Sequence, residues 1–135
     1  MNSDIACEAA TGHRPGVAIY GTDYPTPDGT GLRDYIHVED LAKAHILGLE
    51  YLLECGGCKR LNLGTGRGYS VKEVIDTALR VTEGELNVIE DERREGDPPF
   101  LVADPSMAKA ILNWKPQRSD LELIIKDAWQ WHQNE

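Results

Sequence analysis

The sequence predicts a small mixed α/β domain with few, short strands and about four to five helices. Three observations carry that class. Apolar residues recur at helical spacing in several segments, and short β-branched or alternating runs separate them. A length of 135 residues suits one hydrophobic core rather than two. Hydrophobic residues at 41% and charged residues at 27% lie near globular averages and exclude a disordered chain.

The elements follow in order along the chain. Ile5, Ala6, Ala9 and Ala10 give half of a helical pattern that Gly12 and Pro15 stop. Residues 17–20 read as a short strand, and residues 21–31, with three Gly, two Pro and two Asp, as a loop. Residues 32–38 alternate polar and apolar and lead into a helix over 39–54. In that helix Leu41, Ala44, His45, Gly48, Leu49, Leu52 and Leu53 recur at helical spacing, and Glu39 and Asp40 sit at the positive end of its dipole. A second strand is expected at residues 59–63, followed by a glycine loop over 64–68. Ser70 and Glu73 spell a capping box for a helix whose buried stripe is Val71, Val74, Ile75 and Ala78 and which Gly84 ends. Residues 86–90 are a third strand candidate, and 91–99 a charged loop closed by proline. Asp104 before Pro105 caps a short helix reaching Asn113. Ser119 and Glu122 spell a second capping box, opening a last helix with Leu121, Ile124, Ile125, Ala128, Trp129 and His132 on one face.

Lys and Arg number 14 against 23 Asp and Glu, a formal charge of −9. Such a surface repels phosphate backbones and anionic lipid, which argues against nucleic acid and membrane as partners. Nothing at the N-terminus resembles a signal peptide and no run nears the roughly 20 apolar residues of a span, so a cytoplasmic location is expected. Three cysteines, an odd number, fit that compartment. Cys55-Gly-Gly-Cys58 has redox spacing but follows a helix, where the dipole disfavours a thiolate, and reads as a glycine turn. With no second such pair it makes no metal site. Gly64-x-Gly66-x-Gly68 imitates a dinucleotide fingerprint, yet G-x-G-x-x-G requires a glycine where Tyr69 stands. His13, His37, His45 and His132 are scattered and form no catalytic or metal constellation. Arg33 and Arg94 stand out on an acidic chain. Arginine suits bidentate phosphate recognition, while the ordinary alternative pairs Arg33 with Asp34 and Arg94 with Glu95 or Asp97.

The stretch Ala18-Ile-Tyr-Gly-Thr-Asp-Tyr-Pro-Thr-Pro-Asp-Gly-Thr-Gly-Leu-Arg-Asp-Tyr-Ile-His-Val-Glu-Asp-Leu-Ala42 closely resembles UDP-glucose 4-epimerases of the extended short-chain dehydrogenase/reductase group. Leu61-Asn-Leu-Gly-Thr-Gly-Arg-Gly-Tyr-Ser-Val71, Arg93-Arg-Glu-Gly-Asp97, and Ala103-Asp-Pro-Ser-Met-Ala108 running to Leu112-Asn-Trp-Lys-Pro116 match the same family in order. The resemblance covers the family's C-terminal, substrate-binding part and implies a UDP-sugar-binding domain over residues 1–135. Family members carry ahead of it an NAD-binding Rossmann domain with G-x-x-G-x-x-G and a catalytic Y-x-x-x-K. Neither motif occurs here, since Tyr24, Asp28, Glu39, Cys55 and Glu73 stand four after the five tyrosines.

By that resemblance Ala18, Ile19 and Tyr20 border the uridine, Arg33 and Arg94 hold the diphosphate, Asp97 binds ribose hydroxyls and Leu101 faces the hexose. NAD is the implied cofactor and UDP-glucose/UDP-galactose interconversion, a step of galactose metabolism, the implied reaction. This chain holds no catalytic residue for it and is expected to be inactive alone. Alternatives are a non-catalytic UDP-sugar-binding module and one subunit of a split epimerase. Leu41, Leu49, Leu52 and Leu53 make the helix over 39–54 apolar over too wide an arc for one buried stripe. Self-association or a separate NAD-binding chain is therefore expected to cover it.

Overall fold

The structure, a computed structural model, describes residues 3–12 and 14–134, with residues 3–5 as backbone only. The Ile5 side chain and His13, both used above, lie outside the described residues. Among those residues the chain runs α1 (Ser3–Ala10), β1 (Val17–Tyr20), β2 (Leu32–Asp34), α2 (Val38–Glu54), β3 (Gly68–Ser70), α3 (Val71–Thr82), β4 (Val88–Asp91), β5 (Phe100–Leu101), α4 (Ser106–Leu112) and α5 (Leu121–His132).

Two small sheets organise these elements. β1 and β4 pair in parallel, Val17 opposite Val88 through Tyr20 opposite Asp91. In the other sheet β2 is central, antiparallel to β3 and parallel to β5, with Arg33 opposite both Tyr69 and Leu101. One core cluster joins Ala6, Tyr69, Val74, Ala78, Leu121 and Ile125, where α1, α3 and α5 meet. A second joins Ala9, Val17, Ile19 and Ile75 and seats β1 on α1 and α3. A third packs α2 on α4 through Ala44, Ala108, Leu112 and Trp114. Trp114 is 1% exposed, and its indole N–H donates to the Asp40 carbonyl at 2.9 Å. Burial of so large a ring is affordable because its polar edge is paired.

The capping box of Ser70 and Glu73 forms as expected. Four expectations need correction. Residues 59–63 form no strand; Leu61 and Leu63 instead pack onto the α2–α4 cluster, an apolar demand that an alternating pattern also meets. The strand of that region is β3, inside what reads as a glycine-rich loop and cap. α3 ends at Thr82 with Glu83 as its C-cap, in the left-handed region at φ 51°, so Glu83 and not Gly84 turns the chain. Asp120, not Ser119, caps α5, because the Ser119 hydroxyl donates to Asp40 and accepts from the backbone N–H of His37.

Much of α2 lacks a cover. Ala44 is buried, but Leu49 is 58% and Leu53 79% exposed, with Val38, Leu41, Ile46 and Leu52 also exposed. Among the described residues no helix is long and apolar enough to cross a membrane.

Candidate functional site

The strand period decides which residues of β1 face outward. Val17 and Ile19 are buried while Ala18 and Tyr20 are partly open, as alternation requires. Ala18, Tyr20, Tyr24, Arg33, Arg94 and Asp97 line one cleft of about 400 Å³, with Arg14 and Val71 at its margin. Five of the seven residues implied by the resemblance thus converge. Ile19 does not, since its side chain enters the core beside Ala9 and Ile75. Leu101 does not either: it sits in β5 beside Arg33, 59% exposed, and outside the cleft lining.

The two arginines are held differently. Arg33 donates from Nη1 to the carbonyls of Leu32 at 2.8 Å and Pro98 at 3.0 Å, and its Nη2 lies 3.8 Å from Asp97 Oδ1. Its acid neighbour is therefore Asp97 and not Asp34. Arg94 makes no ion pair among the described residues, so neither Glu95 nor Asp97 neutralises it. Its guanidinium lies over the Tyr20 ring, 3.6 Å from the centroid, a stack that leaves the N–H edge open to an acceptor. Three arginines, Arg14, Arg33 and Arg94, against the one carboxylate of Asp97 make this cleft a place for an anion on a negative chain.

Asp28 shapes the loop before β2. Burial pushes its carboxyl up, but hydrogen bonds from the Ser70 hydroxyl and from the Thr30 N–H and hydroxyl outweigh this and hold it below its ordinary value. Tyr35, just after β2, has a buried hydroxyl with no partner among the described residues. Burial pushes that phenol up to about 12 against the opposing charge of Arg33, so it is no proton carrier near neutrality.

The glycine loop over 64–68 is filled by the chain itself. The N–H of Thr65 donates to both oxygens of Asp34 at 2.9 and 3.1 Å, that of Gly66 at 3.1 Å and that of Ala103 at 3.3 Å. A Cβ on Gly64 would meet Asp34 Oδ2 and the Ala103 Cβ, each at 2.6 Å, so only glycine lets the loop close on the carboxylate. The donors a dinucleotide phosphate would need in this loop are taken, so the loop does not fit NAD. Nor do they group three candidate metal ligands, and Cys55 and Cys58 are free and exposed. His37 is structural: its Nδ1 accepts from the Glu39 N–H at 3.1 Å as the cap of α2, and its Nε2 lies 3.0 Å from Asp127.

Sequence reasoning missed Tyr24 and Arg14 as cleft residues. Both stand in stretches where loop composition masks single side chains.

Residues 2–64 match the NAD dependent epimerase/dehydratase family. The chain is 50% identical over 128 residues to the UDP-glucose 4-epimerase of Rhizobium meliloti, covering 95% of this chain and 39% of that protein. It superposes on a crystal structure of a UDP-glucose 4-epimerase with a TM-score of 0.93 at 45% identity, covering 98% of this chain and 40% of that one. On the UDP-glucose 4-epimerase of Bifidobacterium longum in complex with NAD+ and UDP the TM-score is 0.90 at 37% identity, covering 98% and 39%. The chain thus spans about two fifths of the length of these relatives, in their C-terminal portion. These similarities lend no support to a non-catalytic module or to a split enzyme.

Proposed function

We propose that this chain, whose residues 2–64 match the NAD dependent epimerase/dehydratase family and which matches the C-terminal portion of UDP-glucose 4-epimerases, supplies the nucleotide-diphosphate anchor of such an enzyme. One observation carries the reading: Arg33, distant in sequence from Arg94 and Asp97, borders a single cleft with them beside Ala18 and Tyr20. In it, Arg94 and Arg33 make charge-assisted bonds to a diphosphate, Asp97 accepts from ribose hydroxyls, and Ala18 with the Tyr20 ring forms the wall for a pyrimidine. Inverting one sugar carbon calls for a firm hold on the nucleotide and a loose one on the sugar, so that the hexose turns while its anchor stays. An anchor is what these residues can provide. No chemical step is assigned to these residues, and the chain by itself, which carries no Y-x-x-x-K, is expected to convert no UDP-galactose.

Calorimetric titration with UDP tests the reading. We expect weak binding, about millimolar, because one wall of a cleft supplies few contacts. Arg94→Ala and Arg33→Ala should weaken it further, and added salt should do the same. Equal affinity in all three proteins overturns the assignment.

A further inference from the structure

Arg93 and Arg94 are adjacent in sequence, and only Arg94 has a role in the anchor. The structure separates them. Arg94 lines the cleft. Arg93 points the other way, into a groove with Asp23, Glu90, Asp91 and Glu92, where four carboxylates bar an anion. Its Nε donates to Asp23 Oδ1 at 2.6 Å, its Nη2 donates to the Asp23 carbonyl, and its guanidinium lies 4.3 Å from the centre of the Tyr24 ring. Tyr24 is itself buried, and its hydroxyl donates to the Asp97 carbonyl at 3.4 Å. Gly21 makes room, for a Cβ there would meet Arg93 Cγ and Tyr24 Cε2, each at 2.7 Å.

We infer that Asp23, Tyr24 and Arg93 form a clasp that positions Arg94 and Asp97, so that Arg93 is a positioning residue and not a ligand of the diphosphate. This rests on the anchor reading above. Residues 92–97 are exposed throughout and carry no helix or strand. Without the clasp, their tie to the segment bearing Tyr20 is the neighbouring β1–β4 ladder and the stack of Arg94 itself. Arg93 holds the backbone on one side of the segment while Arg94 projects from the other. A loop fixed before binding loses less freedom when the ligand arrives.

Asp23→Asn gives a test whose sign discriminates. Asp23 is 76% exposed as a side chain, so the fold should survive the change. It removes a negative charge near the cleft, and Coulomb attraction alone would then tighten UDP. The clasp requires the opposite: UDP binding about two- to fivefold weaker, from the lost ion pair that fixes the loop. NMR order parameters of the amides at 94–97 should fall with it. Arg93→Lys, which keeps the charge but lacks the planar fork, should weaken binding in the same direction. Unchanged loop order in Asp23→Asn, or UDP bound as tightly as in the unsubstituted chain, overturns the clasp. Arg94→Ala carried alongside separates the two ideas. If it leaves UDP affinity unchanged, the anchor reading fails, whereas loss of order at 94–97 in Asp23→Asn reports on the clasp with no ligand present.

Discussion

Arg33 commits Nη1 to the carbonyls of Leu32 and Pro98, whereas Arg94 rests its face on Tyr20 and keeps its edge. Their removal should therefore differ in stability as well as in binding. Arg33→Ala leaves two carbonyls short of a donor and is expected to lower unfolding free energy by about 1–2 kcal/mol. Arg94→Ala is expected to stay within about 0.5 kcal/mol, as surface changes do, and urea unfolding of both proteins checks the split. Asp40 is the strongest polar residue of the core. It is fully buried and accepts from the N–H groups of Gln117 and Arg118 and from the Ser119 hydroxyl. Burial pushes its carboxyl up, but those hydrogen bonds prevail and hold it below its ordinary 3.8. A carboxyl depressed on folding contributes stability that is present above its unfolded value and lost as pH falls through its folded one. Asp40→Ala should cost about 3 kcal/mol at neutral pH, and unfolding curves taken below pH 4 should show the difference shrinking. None of this could be read from the sequence, where Asp40 looks like a dipole partner for α2. That Arg33, Arg94 and Asp97 share one cleft was legible through the family resemblance and not through composition, which favoured ordinary ion pairs. That Ile19 turns into the core and Leu101 lies outside the cleft was not, because strand phase and sheet position, rather than neighbours in sequence, decide where those side chains point.

At the scale of elements, helices were legible from caps and period, since both signals are local: α3 forms with its capping box and α5 with its apolar face. Strands were less so. The leucines at 61 and 63 have strand spacing but pack on helices, while β3 and β5 are three- and two-residue pairings created by β2 lying between them. The caps also compete. Ser119 is drawn off by Asp40 and His37, and Asp120 takes over. The end of α3 yields a prediction. Glu83 adopts φ 51°, where a β-carbon is crowded and glycine is at ease. Glu83→Gly should stabilise the chain by about 0.5–1 kcal/mol, seen as a higher urea midpoint at unchanged slope.

For the whole molecule, the open apolar face of α2 is the feature from which association in solution is expected. Val38, Ile46, Leu49, Leu52 and Leu53 stand exposed together on one helix, and monomeric proteins seldom leave large apolar patches bare. The charge of −9 opposes association weakly, because salt screens it beyond about 8–10 Å. Sedimentation at tens of micromolar should show a concentration-dependent larger species, and Leu49→Lys with Leu53→Lys should return the chain to monomer. The cleft has a different consequence. Its walls meet through Arg33 with Pro98, Arg93 with Asp23 and Tyr24 with Asp97, contacts that join residues 65, 70 and 73 positions apart. Contacts so far apart form only after a long loop has closed, which places them late in folding rather than at its nucleation. In kinetic terms, an occupant of the cleft would leave the refolding rate unchanged and slow unfolding, so that ligand binding sets how long the native chain lasts and not how fast it arises.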